Sequence, residues 1–268
     1  MQFFNEGRVD SLVNELERKQ IMRIALFAGE IMLRSGGETY RVEDTIVRIC
    51  RCMGIKHIQA FVTPTVIIIA NYRADGFSFM KTIHHRSTDL KKISLVNDFS
   101  RDLQSCKISV QDAMAELRGI NGIPQYAKWS QILWSGIASG SFALLFGGSP
   151  RDFFAAFVIA MVAMGVSTKI EKLSLTSFLA NIAAGAVIST LAIMFLGIDF
   201  GDSLDMIIVG SIMPFLPGVS FTNGIRDFIS GDLMSGASRV SEAILVAISI
   251  AVGVGSILQL WIKIGGLL

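Results

Sequence analysis

The stretch Met213-Pro-Phe-Leu-Pro-Gly-Val-Ser-Phe-Thr-Asn-Gly-Ile-Arg-Asp-Phe-Ile-Ser-Gly-Asp232 constrains this chain more than any other. It lies between two apolar runs, yet it carries two prolines, several hydroxyl and amide side chains, an arginine and two acids. Pro214 and Pro217 each remove a backbone donor and clash with the preceding turn, so the run from Met206 cannot continue as one straight helix. Gly218 frees the backbone to turn. Ser220 or Asn223 is suited to cap a short new helix through Phe228, and Asp232 to cap the next, which begins near Leu233. A broken helix with charges at membrane depth is costly unless it is buried in protein or lines a wet cavity. The pattern points to a substrate or ion site in a membrane transporter.

The remainder divides in two. Apolar residues make up 51% of the 268 residues and mean hydropathy is +0.55, but the charge is uneven. Up to Lys128 there are 18 Lys+Arg against 14 Asp+Glu; from Trp129 onward there are 6 against 8. The boundary falls at Asn121-Gly-Ile-Pro124, a turn signal before the first long apolar stretch. We expect an α+β soluble domain over 1–124 and an all-α polytopic membrane domain over 125–268. The slight positive charge of the first part suits a domain at the cytoplasmic membrane surface and is too small to argue for nucleic acid. Residues 1–20 show no signal-peptide core. Cys50, Cys52 and Cys106, an odd number in the soluble part, read as reduced thiols.

In the soluble part, Ile21, Ile24, Ala25, Ala28, Ile31 and Met32 recur at helical spacing over 18–34, ended by Gly36-Gly37. Thr39 is placed to cap a second helix through about Met53, with Val42, Ile46 and Ile49 inward. Residues 55–72 are β-branched and interrupted by Thr63-Pro64-Thr65, which reads as two strands and a turn. Ala74-Asp75-Gly76 is another turn before a third strand over 77–83, and Thr88 and Ser109 open helices over 89–104 and 110–119. Helices then cover one face of a small antiparallel sheet. His57, His84 and His85 with Cys50 and Cys52 match no compact zinc spacing, and no P-loop, nucleophile elbow or dinucleotide fingerprint is present. No cofactor is expected. Glu38, Arg41, Glu43 and Asp44 cluster at a helix start, where helix-dipole and capping electrostatics account for them.

Five apolar spans are expected in the membrane part, at about 129–147, 152–168, 174–197, 203–217 and 238–263, the fourth broken at Pro214/Pro217. Lys128 precedes the first, Lys169 and Lys172 follow the second, and Arg226 and Arg239 lie between the fourth and fifth. The loop between the third and fourth carries only Asp199, Asp202 and Asp205. This alternation puts the amino terminus inside and the carboxyl terminus outside; Arg151 dissents and is offset by Asp152. Small residues such as Gly136, Gly140, Gly185, Gly253 and Gly255 suit close helix packing. Asn181 is a buried amide that needs partners or faces a substrate path. An odd number of spans means that a second such unit would lie inverted, with a binding site at the interface of the two.

Two stretches carry a family resemblance. Gly36-Gly-Glu-Thr-Tyr-Arg-Val-Glu-Asp-Thr45 resembles the amino-terminal signature of the threonine/serine exporter (ThrE-type) family. Pro217 to Gly236, with Arg239 and Glu242, resembles its membrane signature. Long family members fuse a soluble domain to ten spans, so the resemblance here is to the split, YjjP-type form. It implies a bacterial inner-membrane exporter of small amino acids, or of dicarboxylates such as succinate, driven by the proton-motive force. It also implies a separate small five-span partner or self-assembly into oligomers. On that reading Ser220, Thr222, Asn223, Arg226 and Asn181 bind the substrate, the helix start and Arg226 meeting its carboxylate. Asp227, Asp232 and Glu242 couple protons, and Arg239 pairs within the loop. In the plainer alternative these charges only pair with one another. A membrane-anchored enzyme with a catalytic soluble domain, or a scaffolding or gating subunit whose partner binds the substrate, are the rival classes.

Overall fold

The computed structural model describes residues 2–72, 77–105, 108–173 and 177–265. The expected Ala74-Asp75-Gly76 turn and Cys106 lie outside them. The chain forms two compact units, one of Met1–Gln125 with Val219–Val240, the other of Tyr126–Gly218 with Ser241–Leu268.

In the first unit, α1 (Gln2–Arg34) and α2 (Thr39–Cys52) are joined by the Gly36-Gly37 turn. The α1 helix starts well before the expected residue 18. Gly36 adopts φ +84°, the left-handed conformation that favours glycine. The Gly37 N–H then donates to Met32 O at 2.9 Å, closing the helix as a glycine C-cap does. Strands β1 (Ile58–Val62), β2 (Val66–Asn71) and β3 (Ser78–Thr82) follow. They form an antiparallel meander in which Ala60 faces Ile69 and Ile69 faces Phe79. The Thr63-Pro64-Thr65 turn falls where the sequence puts it. Helices α3 (Leu90–Ser105) and α4 (Val110–Gly122) complete the α+β layer. Asp89 rather than Thr88 caps α3, accepting the Lys92 N–H at 3.1 Å. Ser109 caps α4 as expected.

The core joins Ile24, Ala28 and Ile31 of α1 to Val42, Ile46 and Ile49 of α2, Ile67 and Ile69 of β2, and Phe99 and Leu117 of α3 and α4. Phe61 and Met80 stay exposed on the other face of the sheet. The unit is closed by α9 (Gly218–Ile229) and the opening turns of α10 (Leu233–Lys263).

The second unit contains α5 (Lys128–Leu145), α6 (Pro150–Leu173), α7 (Ser177–Gly197), α8 (Leu204–Ile212) and the remainder of α10. Three helices, α6, α7 and α10, are long and apolar enough to cross a membrane, and α8 with α9 makes a fourth candidate if the bent pair is one span. Of the five spans expected, α5 falls outside this set, because Lys128, Gln131 and its serines dilute its apolar content. The proline break is as the sequence implies. After α8 comes a single 3-10 turn at Met213–Phe215, and α9 leaves at 61°.

Close packing also follows the small residues. A Cβ on Gly253 would lie 2.2 Å from Ile182 O, and one on Gly185 2.6 Å from Ile250 O, so α7 and α10 touch backbone to backbone. Gly255, by contrast, faces open space. Arg151 pairs with Asp202 at 3.4 Å, while buried Asp152 accepts the N–H groups of Ser149, Asp202 and Ser203.

Candidate functional site

The site assembles from the turn between α1 and α2 on one side and α9 with the start of α10 on the other, all within the first unit. Because the Gly36-Gly37 turn closes α1, its two carbonyls are left pointing away from that helix. Asn223 Nδ2 donates to Gly36 O at 2.9 Å and Arg239 Nη2 donates to Gly37 O at 2.7 Å. Glu38 is the N-cap of α2 by backbone (φ −67°, ψ 139°) but makes no side-chain cap bond. Its carboxylate instead pairs with Arg226 Nη1 and lies 3.2 Å from Arg41 Nε. Thr39, expected to be the cap, is the first helical residue, and its hydroxyl donates to Asp227 Oδ1 at 2.8 Å.

Asp227 is also held from the α10 side. Its Oδ2 is 3.1 Å from Arg239 Nε, an ion pair by distance that is not aligned as a hydrogen bond. Both side chains are almost fully buried, 0% and 4% exposed. A pair this dry is costly to split, since removing one partner strands the other charge at about 3–5 kcal/mol. The Glu38–Arg226 pair differs, because the arginine is 48% exposed. Water screens it, and such pairs contribute about 0.2–1 kcal/mol.

The turn between α9 and α10 is built for this arrangement. Gly231 takes φ +87°, the Asp232 N–H donates to Asp227 O at 2.9 Å, and Asp232 Oδ1 accepts the Ser235 N–H at 3.2 Å. Asp232 therefore caps α10, as the sequence indicates. Ser220 and Asn223 do not cap α9, which begins at Gly218. Both sit inside it, and Asn223 spends its amide on the Gly36 carbonyl. Thr222 is exposed on α9, and Glu242 is exposed on α10. Asn181 is buried in α7 and belongs to the second unit, not to this group.

Glu43 lies one turn along α2 from Thr39, and its Oε1 accepts the Val62 N–H at 2.9 Å. Burial pushes its carboxyl above the ordinary range, the Val62 bond opposes this, and the charges of Asp232 and Asp227 push it further up. Among the described residues, no group of three or more His, Cys, Asp or Glu side chains is placed to hold a metal ion.

The two signature stretches, far apart in sequence, thus form one interlocked network. The Gly36 and Gly37 carbonyls and Thr39 were not among the candidates. The one signal for them was the opposite charge of the two stretches, Glu38 in one and Arg226 in the other.

An α+β unit that includes the segment after a proline break, together with a unit that holds three or four candidate spans, defines a polytopic membrane protein. The chain belongs to the threonine/serine exporter family: residues 23–261 match the family described as "Putative threonine/serine exporter". It is 23% identical over 249 residues to the "Threonine/serine exporter" of Corynebacterium glutamicum, covering 90% of this chain and 51% of that one. It is 21% identical to the "Probable threonine/serine exporter" of Mycobacterium tuberculosis, covering 92% of this chain and 47% of the relative. To the "Probable succinate transporter subunit YjjP" of Klebsiella aerogenes it is 19% identical, covering 91% and 95%. The chain thus spans about half the length of the first two and nearly all of the third. No solved structure matches it.

Proposed function

We propose that this chain is one subunit of an exporter for small carboxylates or amino acids, either a succinate-like dicarboxylate or threonine and serine. It works with a separate small five-span subunit of the same family, or by self-assembly, in a bacterial inner membrane, and the proton-motive force drives it. In this reading α5 supplies the fifth crossing, the amino terminus is cytoplasmic and the carboxyl terminus is outside. The near end-to-end match to a relative named as a transporter subunit supports the split form.

The observation that carries the site is the exposed half of the network. Arg226 is half-exposed and its acid partner is a side chain that a substrate carboxylate can replace. A carboxylate arriving at Arg226 competes with Glu38, and the fork geometry of a guanidinium suits either. Displacing Glu38 frees the start of α2 from α9, so occupancy is linked to the grip on the broken segment. Asp227 is the coupling acid best placed to respond, since it accepts the Thr39 hydroxyl and is ion-paired with Arg239. Asp232 serves mainly as a cap.

A second reading has its own support. Asn223, Arg226 and Asp227 are all engaged with residues 36–39 or Arg239, which suits a gating subunit whose partner binds the solute. Efflux of labelled succinate, threonine and serine from liposomes under an imposed pH gradient separates the two. Transport that needs both chains and is lost in Arg226→Ala fits a substrate site here. Solute binding by the partner alone, with Arg226→Ala changing only the rate of opening, fits the gate. Full efflux in well-folded Arg226→Ala would refute both.

A further inference from the structure

A cleft of about 380 Å³ opens between α1 and α4 in the first unit, lined by Gln20, Arg23, Ile24, Gln111, Met114 and Arg118 among others. It is separate from the network of Gly36, Glu38, Asn223, Arg226, Asp227 and Arg239, with which it shares no residue. Its volume lies toward the low end of the ~300–1,000 Å³ usual for small-molecule sites. On α1, Gln20, Arg23 and Ile24 share one face by helical spacing, and on α4 so do Gln111, Met114 and Arg118.

The two arginines bring two guanidinium groups to one cleft. Arg34, Arg41, Arg48 and Arg226 all have carboxylate partners. Arg23 and Arg118 have none among the described residues, and both are exposed toward the cleft they line. Arg23 is steadied from behind, its guanidinium lying 5.8 Å from the centre of the Phe79 ring. The first turn of α4 lies at the same cleft through Val110 and Gln111, and the positive end of the helix dipole favours an anion there. The nearby carboxylate of Asp112 is taken up by the Ser109 hydroxyl at 2.7 Å.

We propose that this cleft binds a small organic anion: a carboxylate met by Arg23 and Arg118, with a short aliphatic body against Ile24 and Met114 and with Gln20 and Gln111 fixing its polar edge. Guanidinium forks pair bidentately with carboxylates and phosphates alike. The apolar wall tells the two apart, because inorganic phosphate leaves it unfilled. The ligand class is read from this lining alone and does not depend on which solute is exported. Bound here, the anion would bridge α1 to α4 and sense the solute pool from the soluble unit, away from Arg226.

Calorimetric titration of the purified full-length chain in detergent, with succinate, butyrate and inorganic phosphate in turn, tests this. Saturable succinate binding that persists in an Arg226→Gln background, and that becomes about tenfold weaker there when Arg23→Gln or Arg118→Gln is added, is the expected result. Because both arginines are exposed and unpaired, the variants should keep the circular dichroism spectrum of the parent. Phosphate binding as tightly as succinate would overturn the organic assignment. Succinate binding lost in Arg226→Gln but kept in the two glutamine variants would overturn the cleft while leaving the transport reading intact. No binding of any of the three anions would overturn the cleft outright.

Discussion

Neutralising Asp227 probes the buried centre of the network most directly. Asp227→Asn keeps the size of the side chain and leaves an oxygen for the Thr39 hydroxyl, so the hydrogen bond at 2.8 Å survives. What is lost is the charge opposite Arg239, which is only 4% exposed and has Asp227 as its carboxylate partner at 3.1 Å. Removing the acid of so dry a pair costs about 3–5 kcal/mol. The damage should be local, confined to the start of α2, to α9 and to the opening turns of α10. Amide hydrogen exchange resolves it by segment. At tenfold per ~1.4 kcal/mol, the amides of residues 36–42 and 224–240 should exchange roughly a hundred- to a few thousandfold faster. Those of β2 should be unchanged. Pairing the change with Arg239→Gln removes the unmatched charge, but with it the bond to Gly37 O, and should recover part of the protection, which a double-mutant cycle quantifies. Protection in Asp227→Asn within about threefold of the parent, on the order of 0.6 kcal/mol, would refute the buried pair as the element holding the two stretches together.

Three further outcomes follow from other parts of the structure. Glu43→Gln should flatten the pH dependence of stability. The raised Glu43 carboxyl contributes stability that is full below its ordinary value near 4.5 and is lost as pH climbs through the shifted value, so melting temperatures from pH 4 to 8 should converge on the variant at the acid end and diverge above it. With Cys106 changed to serine, a maleimide at pH 8 should label exposed Cys52 and spare Cys50, whose thiol burial pushes up to about 12; equal labelling of both in the folded chain would contradict that burial. Gly253→Ala should cost about 1–3 kcal/mol, read as a lower melting temperature in detergent, because its methyl would meet the Ile182 carbonyl of α7, whereas Gly255→Ala should be neutral within about 0.5 kcal/mol.

Much of the local structure was legible. The glycine cap after α1, the Thr-Pro-Thr turn between β1 and β2, the proline break and the Asp232 cap all obey rules that act over a few residues, and each appears where those rules place it. The failures around the network share one cause. Thr39 and Asn223 look like N-caps, because a small polar residue at the start of a helical run ordinarily bonds its own backbone. Here both side chains are claimed by partners 188 and 187 residues away in sequence. Periodicity and capping rules carry no information at that separation. For the same reason Arg226 and Glu38 each read as a local charge, although they form one pair. The apolar run at about 129–147 reads as a span, and α5 as a whole falls outside the candidate spans by composition.

The Gly36-Gly37 turn has a consequence for how this family can vary. Two of the bonds that tie the signature stretches together end on main-chain oxygens, which every residue type possesses. Selection on the receiving side therefore acts on shape alone. A Cβ at position 37 would lie 3.0 Å from Met32 O, and position 36 holds a left-handed backbone. A Gly36→Ala or Gly37→Ala change would move both acceptors without altering a single charge. Variants of that kind would pass unnoticed through any survey of ionisable residues, and yet they would loosen the hold of residues 36–39 on α9 and the start of α10 within the first unit.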